Sequence, residues 1–212
     1  MRILSRVRTF WLMLALTGAI SAQNPPTCGV KCGSDRWTLK TLSDVDIQNV
    51  DFTNIHKKTV AQLTALVKPN KRPKLNRVSP TELQTFEVEA NLIKFGTEKD
   101  RDFHIVIADL VDPSKTMIVE IPDAACQQAC ESLHFKDFIE ARKVFMTHCG
   151  APTKKFKQVD PPVKVTVIGV GFFDPPGHGG GSAMSGLELH PLLKIEFDLD
   201  NDDCKTRAKP VG

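Results

Sequence analysis

Alternating apolar and polar positions mark a run of strands in the second half of the chain. In TFEVEANL the apolar side chains occupy every second position: Phe86, Val88, Ala90 and Leu92. This period of two is typical of a strand with one buried face. The segments FHIVIADL and TMIVEI follow after the polar turns GTEKDRD and VDPSK. Together the three segments predict a three-stranded meander.

A helical pattern follows the third predicted strand. Asp123 is a candidate N-cap, and Gly150 is placed to end the helix. Between them, Phe135, Phe138, Ile139 and Phe145 recur at helical spacing and make one face mostly apolar, and we expect the phenylalanines to lie in the core.

Two further strands are predicted after this helix, in VKVTVIGVGFF and LELHPLLKIEF. The apolar phase changes beside Gly169 and Gly171, which predicts a bulge or bend. The phase shifts again at Pro191, which predicts an edge strand or a break in the hydrogen-bond ladder.

The order strand-strand-strand-helix-strand-strand is that of the OB-fold, a five-stranded Greek-key barrel. We therefore predict a mainly β protein with an OB-like β-barrel and an irregular N-terminal arm; an open α+β sheet is the alternative. The predicted divisions are a leader at 1–22, an arm and basic linker at 23–80, the barrel at 81–200 and an acidic, flexible tail at 201–212. In the arm, TVAQLTALV predicts a short helix with Thr59 as its N-cap.

The first 22 residues resemble a signal peptide. Three arginines precede the apolar run FWLMLALTGAI, and small residues precede Gln23. We therefore expect an exported protein, periplasmic or extracellular, with no transmembrane segment in the mature chain. The whole chain has 28 Lys and Arg against 25 Asp and Glu, and the leader arginines account for the excess. A neutral mature chain makes nucleic acid an unfavoured partner.

All six cysteines follow the leader: Cys28, Cys32, Cys126, Cys130, Cys149 and Cys204. An even number in an exported chain favours disulfides, and the loose C-x3-C spacing makes a zinc site the weaker interpretation. We expect Cys126 or Cys130 to pair with Cys149, and Cys28 or Cys32 to pair with Cys204.

Several segments together resemble a family of exported bacterial proteins whose activity is uncharacterised. They are DFHIVIAD, TMIVEIP, GVGFFD and LELHP, with RWTLKTL upstream. The resemblance implies export and a shared fold, and it brings no reaction with it.

Polar side chains concentrate where an OB-fold binds ligands, on the second and third strands and the two adjoining loops. The first-to-second loop GTEKDRD leads to His104, and the fourth-to-fifth loop is DPPGHGGGSAMSG. We expect the segments 99–104 and 174–178 to meet at one rim. Residues two apart on a strand share a side, which pairs Asp102 with His104 and Glu188 with His190.

These positions yield three sets of candidate residues. The catalytic candidates are Asp102, His104, Asp174, His178, Glu188 and His190. The metal candidates are His104, His178 and His190, since neutral imidazole and ionised carboxylate are common ligands. The ligand-binding candidates are Arg101, His178 and Phe173, because one of two adjacent phenylalanines on a regular strand points outward.

The function that these observations favour is an exported binding or interaction module for a small ligand or an envelope component. The sequence requires no cofactor but allows a divalent metal. The alternatives are a metal-dependent hydrolase using the Asp/His/Glu candidates and a structural cell-envelope protein.

Overall fold

The computed structural model describes residues 28–175, 180–198 and 204–211, and most of its ordered backbone lies in one sheet. Seven strands belong to this sheet among the described residues: β1 (Asp51–Lys57), β2 (Gln84–Thr97), β3 (Phe103–Ala108), β4 (Thr116–Ile121), β5 (Lys157–Phe173), β6 (Leu187–Phe197) and β7 (Ala208–Pro210). The predicted mainly β class is confirmed.

Five short or medium helices accompany the described part of the sheet. They are α1 (Trp37–Lys40), α2 (Val60–Thr64), α3 (Gln127–Glu131), α4 (Phe135–Cys149) and α5 (Cys204–Arg207). Thr59 caps α2 through the predicted side-chain contact, in a capping box with Gln62. Asp123 is not the N-cap that we expected, because residues 124 and 125 form a turn and Cys126 is the residue that precedes α3. Among the described residues, no helix combines the length and the apolar surface needed to cross a membrane.

Five of the strands close into a ring. The sheet order is β1-β2-β3-β4-β6-β5-β7, and β2 pairs with β5 as well as with β3. Within the ring β4 and β6 are parallel and the other pairs are antiparallel. The longest helix, α4, lies between the third and fourth strands of the ring, where the sequence predicts it.

The inside of the ring holds the main hydrophobic core. Alternate side chains of each ring strand point into it, including Ile105, Val119 and Leu189. Helix α4 adds Phe145, whose ring meets that of Phe95 edge-on at 5.1 Å between centroids.

The N-terminal arm covers part of the outside of the ring, and it contains α1, β1 and α2 between irregular stretches. Trp37, Leu42 and Val50 pack with Val170 in a second hydrophobic cluster. The arm also contributes β1, which pairs in parallel with β2. A buried ion pair between Arg36 and Glu82, 2.6 Å between Nη2 and Oε2, fastens the arm to the ring.

Three disulfides join Cys28 to Cys130, Cys32 to Cys126 and Cys149 to Cys204. The prediction of disulfide bonds is therefore confirmed, whereas the expected pairings were wrong. The two C-x3-C segments pair with each other because the arm crosses the start of α3, where Val30 forms a bridge with Cys126. The end of α4 bonds instead to Cys204, and residues 204–210 form α5 and β7 where we expected a flexible tail.

The predicted irregularities of the last two ring strands are present. The register between β5 and β6 shifts on both sides of Gly169, which confirms the bulge. Pro191 sits at this shift inside the ring, so it breaks the ladder but does not mark an edge strand. The predicted leader, His178 and part of the acidic tail lie outside the described residues.

Candidate functional site

The outer face of β3, β4 and β6 carries a row of charged side chains. Their neighbours along each strand point into the core, so strand alternation sends these side chains to the other face. His104 lies opposite Glu120 in the antiparallel β3–β4 register, and the parallel β4–β6 register brings Glu188 and His190 alongside. Asp102 stands just before β3.

Direct contacts link these side chains into one chain of groups. His104 Nδ1 lies 2.8 Å from Glu120 Oε1. The other Glu120 oxygen, Oε2, lies 2.9 Å from His190 Nδ1. His190 Nε2 is 3.2 Å from Asp102 Oδ2. We call Asp102, His104, Glu120, Glu188 and His190 the His–carboxylate cluster, and all five are buried.

The arm places a further ion pair beside this cluster. Lys40, at the end of α1, lies 3.2 Å from Asp174 Oδ2, and both residues are buried. Asp174 comes directly after β5, so the pair joins the arm to the start of the fourth-to-fifth loop of the ring.

A cavity of about 470 Å³ opens above the cluster. Its described lining includes residues 98–100 from the first-to-second loop and residues 174–175 from the fourth-to-fifth loop. The two loops therefore meet at one rim, as the fold hypothesis requires. The arm forms the remaining wall with Cys32, Trp37 and Lys40.

Three buried polar atoms of the cavity lining have no hydrogen-bond partner. They are Trp37 Nε1, His104 Nε2 and Glu188 Oε2. Buried polar groups in proteins are nearly always hydrogen-bonded, and leaving one without a partner costs about 1–3 kcal/mol. These atoms supply one donor, one acceptor and one imidazole nitrogen whose role depends on its protonation.

Burial and neighbouring charges separate the acidities of the carboxyl groups. Burial raises the pKa of Asp102 to about 6, although a hydrogen bond with His190 opposes the rise. Burial also raises the pKa of Glu188 to about 7, and the charge of Glu120 adds to it. The pKa of Glu120 itself lies well below its usual range, because the charge of His190 and the hydrogen bond with His104 outweigh its burial.

The pKa values of the basic groups are raised, which favours their charged forms. Burial alone would lower the pKa of His104, but Glu120 outweighs it and raises the pKa. Burial likewise opposes charge on His190, yet Glu120 and Asp102 raise its pKa well above the usual value. For Lys40 the surrounding carboxylates, Glu120 first, also outweigh burial and raise the pKa. Near neutral pH the cluster therefore holds charged imidazoles against ionised Glu120, whereas Glu188 is partly protonated.

The structure brings four of the six catalytic candidates into direct proximity: Asp102, His104, Glu188 and His190. Asp174 reaches the same cavity, where it pairs with Lys40. His178 lies outside the described residues. Of the metal candidates, His104 and His190 both contact Glu120. Asp102, Glu120 and His190 each offer one ligand atom, and these atoms lie within 4.8 Å of one another.

Two ligand-binding candidates, Phe173 and Arg101, are not among the residues that line the cavity. Phe173 is buried in the core, because the outer face of β5 is covered by the arm and the inner face by the ring. Its ring therefore has no free face for stacking, and the expectation of an outward ring was wrong. Arg101 is half-exposed and pairs with Asp123 at 2.8 Å.

Sequence reasoning missed Glu120, Lys40 and Trp37. Glu120 interrupts the apolar segment TMIVEI, and a lone carboxylate between buried neighbours is a signal that could have identified it. Lys40 and Trp37 belong to the arm, whose place over the ring no local pattern reveals. No protein-family model, curated protein or solved structure matches this chain.

Proposed function

We propose that the protein is an exported binding module with an OB-like barrel, and that its ligand occupies the cavity between the two loops and the arm. The ligand is a small polar molecule without net negative charge. The observation that carries this proposal is the convergence of three buried, unpartnered polar atoms on one cavity.

The strand order supports the OB-like assignment. The ring contains five strands, the fifth lies between the third and the fourth, and a helix connects the third to the fourth. The cavity adjoins the second and third ring strands and both flanking loops, the region in which OB-folds bind ligands.

Export is supported by the resemblance of residues 1–22 to a signal peptide and by the disulfides. Each of the six cysteines is in a disulfide bond, which fits an oxidising compartment. N-terminal sequencing of the protein recovered from the periplasm or medium of a bacterial host tests this part. We expect the mature chain to begin at Gln23, and an intact leader in the recovered protein would contradict export by cleavage.

The charges around the cavity argue against an anionic ligand. The described lining includes six carboxylate residues, Asp35, Glu98, Asp100, Glu120, Asp174 and Glu188, against two lysines, Lys40 and Lys99. A low-dielectric cleft lined mainly by one sign of charge repels ligands of that sign. A hydroxyl or ammonium group of the ligand would instead donate a hydrogen bond to Glu188. A hydroxyl group would also accept one from Trp37 Nε1.

Trp37 gives a direct measure of binding. It is the one tryptophan outside the leader, so the fluorescence of the mature protein reports on this cavity. We expect saturable fluorescence changes with neutral saccharides or small amines, and none with their anionic counterparts gluconate and glutarate.

Substitutions in the cavity test the assignment. His104→Gln and Glu188→Gln should each weaken binding about tenfold or more, because a hydrogen bond to a charged group contributes about 1.5–3 kcal/mol. Glu140→Gln, on the exposed face of α4 where Glu140 pairs with Lys143, is the control and should bind as the wild type does. Equal binding by all three variants, or preference for anions, would contradict the proposal.

The metal-dependent hydrolase and the structural envelope protein stay predictions. Turnover of an ester, phosphoester or glycoside probe that is lost in Glu188→Gln would favour the hydrolase. Absence of both binding and turnover would favour the structural role.

A further inference from the structure

We propose that His190, Glu120 and Glu188 bind a first-row divalent metal ion beneath the cavity, with Asp102 orienting the imidazole. The three ligand atoms are His190 Nδ1, Glu120 Oε2 and Glu188 Oε2. Glu188 Oε2 is also one of the atoms proposed to bind the organic ligand, so the metal site is tested with metal alone and with no organic ligand present.

The two distances measured from His190 Nδ1 are compatible with a shared ion. Glu120 Oε2 lies 2.9 Å and Glu188 Oε2 lies 3.8 Å from this nitrogen. Two atoms that each bind one ion at about 2.0–2.2 Å are separated by about 3–4 Å, depending on the angle between the bonds. Both distances fall near this range.

The geometry at His190 Nδ1 is poor for a hydrogen bond and leaves this nitrogen available to an ion. His190 Nδ1 has no hydrogen-bond partner even though Glu120 Oε2 is close, so the two atoms are near each other without the alignment that a hydrogen bond needs. Glu188 Oε2 is buried and has no hydrogen-bond partner either. Two of the three proposed ligand atoms are therefore buried polar atoms without a hydrogen bond.

The far side of the imidazole is held in the manner of a metal-binding histidine. His190 Nε2 donates to Asp102 Oδ2 at 3.2 Å, and Asp102 Oδ1 accepts from the backbone N–H of Asp123. A carboxylate on the second nitrogen fixes the ring and leaves the first nitrogen free to bind an ion. Glu120 is fixed in a similar way, because its Oε1 contacts His104 Nδ1 at 2.8 Å.

The local charges allow a dication. Four buried carboxylates, Asp102, Glu120, Asp174 and Glu188, face Lys40 and the two imidazoles. When all four carboxylates are ionised, one negative charge stays uncompensated even with both imidazoles charged. A divalent ion on neutral His190 balances the group, with Lys40 and charged His104 supplying the remaining positive charge.

The mixed donor set selects the class of metal. One imidazole nitrogen and two carboxylate oxygens suit Zn²⁺, Co²⁺, Mn²⁺ or Fe²⁺, whereas Mg²⁺ and Ca²⁺ prefer oxygen ligands alone. Because Glu120 and Glu188 line the cavity, an ion bound to them borders the space proposed for the organic ligand.

The test uses mature protein that has been stripped with EDTA and then titrated with Co²⁺ or Zn²⁺ near pH 7. We expect one equivalent to bind with a dissociation constant below about 10 μM, visible Co²⁺ absorption bands, displacement by Zn²⁺, and much weaker effects of Mg²⁺ and Ca²⁺. All six cysteines are in disulfides, so thiolates cannot produce these bands.

Variants assign the ligands. Glu188→Gln should abolish the Co²⁺ bands, and Asp102→Asn should weaken binding about 10- to 100-fold. His134→Gln removes a histidine that pairs with Asp137 at 2.8 Å near the start of α4, and this control should bind as the wild type does. Because the wild-type titration does not depend on whether a variant folds, lack of saturable Co²⁺ and Zn²⁺ binding would overturn the proposal. Unchanged binding in Glu188→Gln would overturn the ligand assignment.

Discussion

At the scale of single residues, Glu82 links the arm to the ring through four hydrogen bonds to its carboxylate. It is fully buried, and its carboxylate accepts hydrogen bonds from both Arg36 Nη atoms at 2.7 and 2.6 Å. It also accepts from the backbone N–H groups of Val78 and Phe173. One carboxylate thus joins the arm, the end of the basic linker and β5.

We expect Glu82→Gln to lower the free energy of unfolding by about 3–5 kcal/mol, because it leaves the buried Arg36 guanidinium without its counter-charge. Urea denaturation followed by circular dichroism measures the loss. Glu87→Gln is the matched control: Glu87 pairs with Lys57 at 2.9 Å, but the lysine is 82% exposed, so the loss should be at most about 1 kcal/mol. Similar losses in the two variants would contradict this account.

At the scale of elements, Asp109 connects the end of β3 to the start of α2. Its Oδ2 accepts from the backbone N–H of Ala61 at 2.9 Å, and its Oδ1 accepts from those of Val111 and Asp112. Burial would raise the pKa of Asp109, but these hydrogen bonds favour the carboxylate and lower the pKa overall. The ionised group therefore stabilises the fold.

Because the folded state has the lower pKa, this stabilisation is complete above the unfolded pKa of about 4 and is lost as the pH falls through the folded value. Asp109→Asn should cost about 1–3 kcal/mol at pH 7 and make stability less dependent on pH below about 4. Urea midpoints from pH 7 to pH 2.5 measure both effects. Asp35→Asn, at an exposed position, is the control and should leave stability at pH 7 nearly unchanged. Equal pH profiles for the wild type and Asp109→Asn would contradict the role assigned to Asp109.

At the scale of the whole molecule, the disulfides divide into two groups. Cys28–Cys130 and Cys32–Cys126 hold the arm against α3, and Cys149–Cys204 holds the C-terminal segment against the end of α4. Cys32 also lines the cavity, so the first group fixes the wall that contains Trp37.

Removing Cys32–Cys126 or Cys149–Cys204 by paired Cys→Ala substitution should cost about 2–5 kcal/mol in each case. Only the loss of Cys32–Cys126 should increase quenching of Trp37 fluorescence by acrylamide, since Trp37 is 5% exposed when the arm is in place. Stern–Volmer slopes of the two variants, both prepared without residues 1–22 and recorded without denaturant, compare the effects. A greater slope increase without Cys149–Cys204 would show that the arm does not depend on its own disulfide.

The local pattern predicted most ring strands because alternation records which side of a strand faces a core. The bounds of β4 and β6 agree with the predicted segments, whereas β2 extends to Thr97 and β5 begins at Lys157. The additional residues at the end of β2 and the start of β5 pair with each other, and those of β5 also pair with β7. Pairing with residues so distant in the chain leaves no pattern in the local sequence. Strand β1 was missed for the same reason: DFTNIHK has no apolar alternation, and it pairs only with β2.

The sequence by itself determined the mainly β class, the order of the ring elements and the two pairs of polar residues, Asp102 with His104 and Glu188 with His190. Each depends on spacing along one strand, which the local backbone geometry fixes. Only the tertiary structure decided the disulfide partners, the arm as the wall of the cavity, and the contact of both histidines with Glu120. Those features join residues far apart in the chain, and their partners are set by how the ring closes and what then packs against its outer face.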